Sequence, residues 1–389
     1  MKIHLNKKWC IKDLIGVTRQ KNSADKLFLF TVLVLSAYGT IMVFSAGYAF
    51  AEVRYGDPLH FIKRQSIWLV LGIAVMLLIS NIDLEVLQRL TLPAYVVTLL
   101  LLVLTLLIGF VGNGAQRWIA IGPITIQPSE IAKLTMTMML ADYFSKNEHR
   151  ACFDKDKKSI FIFGTMIPCI IMAIPIFLVM LQHHLSCIII LGVIGLLTII
   201  MAGVNLRYIG GFMGVGVIGV TYIALFTDYT KDRITVWRDP ESYKLTGGWQ
   251  TLQGLMAIGS GGVFGKGLGK SELKYCYVSE PANDMIFAIL CEELGLIGAS
   301  VAIIIFGILI YRGFKIAVCN NDGYSRLLCI GICVKIAVQL ILNVAVVTNT
   351  IPNTGISLPF FSYGGSSLIM IFLEMGIILS ASRKSAIQK

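Results

Sequence analysis

Apolar runs recur along this chain with short polar intervals between them, and a membrane-spanning helix needs about 20 mostly apolar residues. Ten segments approach that pattern: 27–47, 65–80, 92–110, 128–145, 160–179, 185–203, 206–226, 283–310, 325–347 and 366–381. The second is short and the fourth is amphipathic. The pattern predicts an all-α integral membrane protein of about ten transmembrane helices. A single transmembrane domain at 27–382 lies between a basic tail at 1–26 and a short tail at 383–389. The longest polar interval, 227–282, joins the seventh and eighth spans. It mixes basic residues, aromatics and glycines, more than a plain connection between two helices requires.

Composition agrees with a bilayer setting. Of the 389 residues 56% are hydrophobic and 14% charged, against roughly 25% charged in soluble domains. The net charge of +11 needs no nucleic acid to explain it. Lys and Arg concentrate in the tail before Leu27, between Lys146 and Lys158, and at Arg207, Arg312, Lys315, Arg326, Arg383 and Lys384. The alternate short loops carry only Arg54, Lys63, Arg64 and Arg117. The positive-inside rule then predicts both termini in the cytoplasm and the 227–282 loop outside. No cleavable signal is evident, since the first apolar run is long and nine more follow. The nine cysteines form no CxxC pair and no zinc spacing, and the neighbours His183 and His184 read as a polar helix cap.

Three polar stretches carry candidate chemistry. In 111–133, Gly112, Gly114 and Gly122 permit close backbone approach, and Pro128 suits the first turn of a helix. Glu130 and Lys133 lie one turn apart and can pair. Arg117 beside Trp118 fits either an anion-binding role or an interfacial aromatic belt. In the long loop, Asp284 opens the eighth span near Arg233, Arg238, Lys266, Lys270 and Lys274. A helix cap and a catalytic base are both open to it. The run GSGGVFGKGLGK fails the phosphate-loop pattern, because Phe264 and Ser260 stand where glycine is required. Its glycines and lysines still suit a lipid pyrophosphate. In the last stretch, Pro352, Pro359, Gly364 and Gly365 force a non-helical path, tolerated at membrane depth only inside protein or beside a wet cavity. Among the spans, Lys335, Gln339 and Asn343 form a polar stripe at four-residue spacing. Glu292, Glu293 and Glu374 are read as interhelical pairing partners.

These stretches resemble the SEDS family (shape, elongation, division and sporulation), whose members include FtsW, RodA and SpoVE. The resemblance covers all ten spans. It rests on Arg117, Trp118, Ile119 and Gly122 with Gln127, Pro128, Ser129, Glu130 and Lys133. The long loop matches at Arg233, Pro240, Gly248, Gln250 and Gln253, followed by Ala257, Gly259, Gly262, Gly265 and Gly267. Leu358 to Ser367 match the last signature throughout. Y-K-L-T-G-G-W-Q is closer to the FtsW and SpoVE branch.

The resemblance implies a peptidoglycan glycosyltransferase that polymerises lipid II during division, shape maintenance or sporulation. It aligns the family's catalytic aspartate with Asp284 and an upstream acid with Glu280. Asp284 is then the general base. Arg117, Arg233, Lys266 and Lys270 are candidates to stabilise the departing pyrophosphate. Trp118, Lys133, Glu280, Ser362, Gly364 and Gly365 join the substrate-binding set, and Glu130, Lys133, Glu292, Lys335 and Glu374 the structural ion pairs. A divalent cation, Mg or Mn, is left open as an accessory, with no ligand cluster visible. The implied partners are a class B penicillin-binding protein and other divisome or elongasome proteins. One departure stands out: the family's Q-P-D-L-G-T is here Gln182-His183-His184-Leu185-Ser186-Cys187. Two other function classes compete. A lipid II flippase would depend on the intramembrane charges more than on Asp284, and a non-catalytic scaffold for a transpeptidase only on helix surfaces.

Overall fold

The computed structural model describes residues 23–384 except 113–114, 123, 155, 206, 212–213, 215–218, 220–227 and 276. Seven of its helices are long and apolar enough to cross a membrane. They are α1 (Lys26–Tyr55), α2 (His60–Ile79), α3 (Leu84–Ile108), α5 (Lys157–Leu181), α9 (Ile286–Val318), α10 (Gly323–Val347) and α11 (Gly365–Lys384). Two more helices stand among them. α4 (Pro128–Glu148) is more polar than a lipid-facing span, and α6 (Leu185–Met201) is short. In the large loop region lie α7 (Asp228–Arg238) and α8 (Gly248–Gly261). The seventh span expected at 206–226 falls largely outside the described residues.

Polar side chains explain the helix that hydropathy marked least clearly. α4 buries Ser129, Glu130, Lys133, Thr135, Thr137 and Asp142, and it packs against α3, α5, α6 and α10. A helix surrounded by protein can carry polarity that lipid would reject, provided the groups pair. Lys133 Nζ reaches Glu130 at 2.6 Å, Lys335 Nζ reaches Glu374 at 2.6 Å, and Lys335 lies 4.0 Å from Glu130. The four charges form one buried chain linking α4, α10 and α11.

Capping residues set where two helices begin: α1 starts within one residue of its apolar run, and α3 well ahead of its own. Asp25 caps α1 by accepting from Phe28 N at 2.9 Å, and its carboxylate also holds Arg312 of α9 at 2.7 Å. Asp83 starts α3 eight residues before the expected apolar boundary and pairs with Lys384 at 2.5 Å. Gly56, at φ 67°, ends α1.

Between α3 and α4 the glycine-rich stretch folds into a small antiparallel sheet that the sequence reading did not foresee: β1 (Phe110–Gly112), β2 (Ala115–Ile121) and β3 (Ile124–Ile126). Phe110 pairs with Trp118 and Ile119 with Ile126. Every spanning element among the described residues is helical.

The long loop docks where α9 is broken. Gly295 sits at φ 65° inside α9, a conformation costly for any other residue, and the break frees backbone groups on both sides. The 262–267 backbone satisfies them. Lys266 N donates to Glu292 O at 3.0 Å and Gly267 N to Glu293 O at 2.9 Å, while Leu296 N donates back to Gly262 O at 3.0 Å. Side chains reinforce the junction: Lys266 pairs with Glu292 at 2.9 Å, and Lys274 with Glu293 at 2.9 Å. Ser45 of α1 donates to Glu293 at 2.6 Å. The interhelical cation expected for Glu292 is therefore replaced by a lysine of the loop, because the helix break brings the loop onto that carboxylate.

Candidate active site

α10 and the 353–367 segment fix the turn that carries Asp284. Asn343 of α10 donates from Nδ2 to Asp284 O at 2.9 Å and to Ile356 O at 2.7 Å. Ser362 Oγ donates to Asn283 O at 2.8 Å, and Tyr363 N donates to Ala282 O at 2.8 Å. Glu280, at φ 52°, receives Asn283 Nδ2 at 2.5 Å. Gly365 lies against the Trp68 indole, where a side chain would collide. The irregular segment thus holds the Asp284 turn through main-chain bonds.

Asp284 opens onto a cavity of about 850 Å³. Its Oδ2 is 3.4 Å from Gln250 Nε2, and its Oδ1 is buried without a hydrogen-bond partner among the described residues. Burial, reinforced by the Glu280 charge, pushes its pKa up to about 6, against the opposing pull of Gln250 and Arg233. A carboxylate in that range is ionised at neutral pH yet basic enough to take a proton.

The same cavity is lined by Arg117, Trp118, Lys133, Arg233, Glu280, Ser362, Gly364 and Gly365. Arg233 donates to Asn353 O at 2.5 Å, which ties α7 to the 353–357 wall. Arg117 donates from Nη2 to His183 O at 2.7 Å, while its Nε is buried without a hydrogen-bond partner among the described residues. Lys266 and Lys270 are not among the lining residues. The first is held by Glu292 and Glu272, and the glycine run around them is engaged by α9.

The departing 182–187 loop forms part of the wall. Ser186 Oγ donates to Thr354 O, and Gln182 Nε2 to Leu102 O at 3.1 Å. His184 and Cys187 line the cavity. Burial, with Arg117 next, drives the His184 pKa down to about 3, so the ring is neutral; its Nδ1 lies 3.5 Å from Ser129 Oγ. Sequence reasoning gave no site role to Arg64, Trp68, Gln250, His184, Gln339 or Asn343, although Gln250 stood in the loop signature and the last two in the polar stripe. Among the described residues no group of three or more His, Cys, Asp or Glu could hold a metal ion.

An all-helical multi-pass membrane protein with a polar cavity walled by irregular segments is the class that this fold and site define. The family model described as "Cell cycle protein", covering FtsW, RodA and SpoVE, matches residues 25–387. The chain belongs to this family. It is 37% identical over 373 residues to stage V sporulation protein E of Bacillus subtilis, covering 95% of this chain and 100% of that one. It is 33% identical to a probable peptidoglycan glycosyltransferase FtsW of Geobacter metallireducens, covering 92% of this chain and 95% of the relative. Among solved structures it resembles the rod shape determining protein RodA of Thermus thermophilus, with TM-score 0.68 and 26% identity over 93% of this chain and 98% of that one. It also resembles a chain from a structure concerned with polymerization and crosslinking by a peptidoglycan synthase complex. There the TM-score is 0.76 and identity 25%, covering 92% of this chain and 98% of that one.

Proposed function

We propose that this protein polymerises lipid II into glycan strands at the outer face of the plasma membrane, with Asp284 as general base. The observation that carries the reading is the Asp284 carboxylate: held by its backbone in a polar cavity, raised toward neutrality, and with one oxygen free of hydrogen bonds among the described residues. The 4-hydroxyl of an acceptor sugar gives its proton to Asp284, and its oxygen attacks the anomeric carbon of the donor glycan. The bond from that carbon to the lipid pyrophosphate breaks, and the pyrophosphate leaves with the bonding pair. Arg233 and Arg117 stand in the cavity wall to balance that charge, as preorganised cations in a partly dry site do. One base and one activated leaving group suffice for inversion, so an α-linked donor gives a β-linkage.

The orientation that puts Asp284 outside leaves both termini in the cytoplasm, in keeping with the basic inner segments. The expected partner is a class B penicillin-binding transpeptidase, and the likeness to a chain of a peptidoglycan synthase complex supports it. The cellular setting is division, shape maintenance or sporulation. A transport path receives less support, because Glu130, Lys133, Lys335 and Glu374 are engaged with one another. The test is to give lipid II to the reconstituted protein with its transpeptidase and analyse the linkage formed. β-Linked strands are expected. Strands with retained α-linkage contradict the single-base mechanism, and movement of lipid II across the bilayer without polymer favours the transporter.

A further inference from the structure

Along the polar stripe of α10, Lys335 and the amide nitrogen of Asn343 are held by protein, whereas the amide oxygens of Gln339 and Asn343 have no hydrogen-bond partner among the described residues. Lys335 is bound to Glu374, and Asn343 is bound to the main chain of Asp284 and Ile356. Gln339, between them, is 3% exposed, its Oε1 is buried with no hydrogen-bond partner among the described residues, and the residue lines the Asp284 cavity. A buried amide oxygen without a protein partner is costly unless water or a ligand completes it. Successive members of the stripe are about 6 Å apart along the helix, so Gln339 lies one turn from the residue that holds the Asp284 turn.

The charges nearest to it cancel. Lys335, one turn away, is paired with Glu374, and Glu130 beside it is paired with Lys133. Two cations and two anions leave no net charge to attract a pyrophosphate. A neutral polar group suits this place better.

We infer that Gln339 recognises the 2-acetamido group of the acceptor sugar whose 4-hydroxyl meets Asp284. This inference rests on the glycosyl-transfer reading above and deepens it. In a pyranose, carbons 2 and 4 are separated by a single ring carbon, and Gln339 and Asp284 line the same cavity. Recognition of this kind requires one sugar to present its two substituents to both residues. A primary amide offers one carbonyl acceptor and N–H donors, the complement of the N–H and carbonyl of an acetamide. Gln339 is thus a specificity-determining residue for 2-acetamido sugars, and it takes no proton in the Asp284 reaction.

The test is a binding titration on the reconstituted full chain carrying Asp284→Asn, which removes turnover. Two lipid-linked probes are compared: the natural disaccharide, and an analogue whose acceptor acetamido group is replaced by hydroxyl. With Gln339 present, the natural probe should bind about 10-fold or more tightly than the analogue, the worth of one or two hydrogen bonds in a buried site. Gln339→Met should bring the two probes within about 2-fold by weakening the natural one alone. If that variant does not fold, Gln339→Glu, which keeps the size and loses the donors, should reduce the preference in the same direction. An unchanged preference in the variant, an equal loss for both probes, or no preference with Gln339 in place overturns the inference. Turnover by Asp284→Asn itself bears only on the base, so failure of that reading is seen separately.

Discussion

Lys335→Met should be among the most destabilising single changes in this protein. Lys335 is 2% exposed and lies 12 residues into α10, about 18 Å from the start of the helix, well inside a hydrocarbon layer about 30 Å thick. Methionine keeps most of the side-chain volume, so the main loss is charge. Removing it leaves Glu374, which is fully buried and whose Oε2 already lacks a hydrogen-bond partner among the described residues, without its cation. The chain of four then carries one uncompensated negative charge. Breaking a buried pair by removing one partner costs about 3–5 kcal/mol. Lys335→Met with Glu374→Leu removes both charges and leaves the Glu130–Lys133 pair at 2.6 Å intact. That double variant should lie within about 2 kcal/mol of wild type, since apolar replacement of a whole buried pair is often near neutral. Unfolding of the four proteins of this cycle in detergent gives the coupling directly. A single variant within about 1 kcal/mol of wild type, or a double variant no more stable than the single, would refute the reasoning.

Three further outcomes follow from the site and its supports. Asp284→Asn should stabilise the fold at neutral pH by up to about 3 kcal/mol, from a rise of the carboxyl pKa from 3.8 to about 6. The native state holds that proton more tightly than the unfolded chain, so wild-type stability falls as pH rises from about 4 to about 6. The advantage of Asn is then complete above pH 6 and absent below pH 4, and a gain independent of pH in unfolding scans would count against the assignment. Asn343→Ala leaves the carbonyls of Asp284 and Ile356 without this donor and should lower kcat about 10- to 100-fold by loosening the base; a steady-state assay showing only a KM change would contradict that role. Gly295→Ala forces a side chain to φ 65° against the 263–265 backbone and should cost at least about 1–3 kcal/mol, read as earlier thermal unfolding and faster proteolysis in 262–274.

The spanning helices were legible because lipid demands long apolar runs, and α1, α9 and α10 announce themselves that way. What escaped was set by contacts distant in sequence. The early start of α3 depends on Asp83, whose partner Lys384 lies hundreds of residues away. The sheet at 110–126 has strands of three to seven residues, too short to show a clear alternation. The glycines of 261–267 suit a phosphate cradle by sequence, but backbone N–H groups there are taken by the carbonyls of Glu292 and Glu293 at the break at Gly295. The same docking takes Lys266 out of the cavity wall. At the site, Asp284, Arg117, Arg233 and the 362–365 segment stood in recognisable motifs and line one cavity. Asn343 and Gln339 were visible only as a stripe, since periodicity shows which face is polar and not what that face meets. His184 replaced the family's carboxylate and was read as a cap, although it lies in the cavity wall beside Ser129.

The most direct test is polymerisation of purified lipid II by the reconstituted wild-type protein and by Asp284→Asn, each with its transpeptidase partner and each shown to be folded by thermal stability in detergent. The account predicts glycan strands from wild type, with a rate that rises through about pH 6 as Asp284 loses its proton. It predicts a fall of about 100- to 10,000-fold in the variant. Equal polymerisation by both proteins would contradict it, reducing Asp284 to a helix cap and placing the base elsewhere.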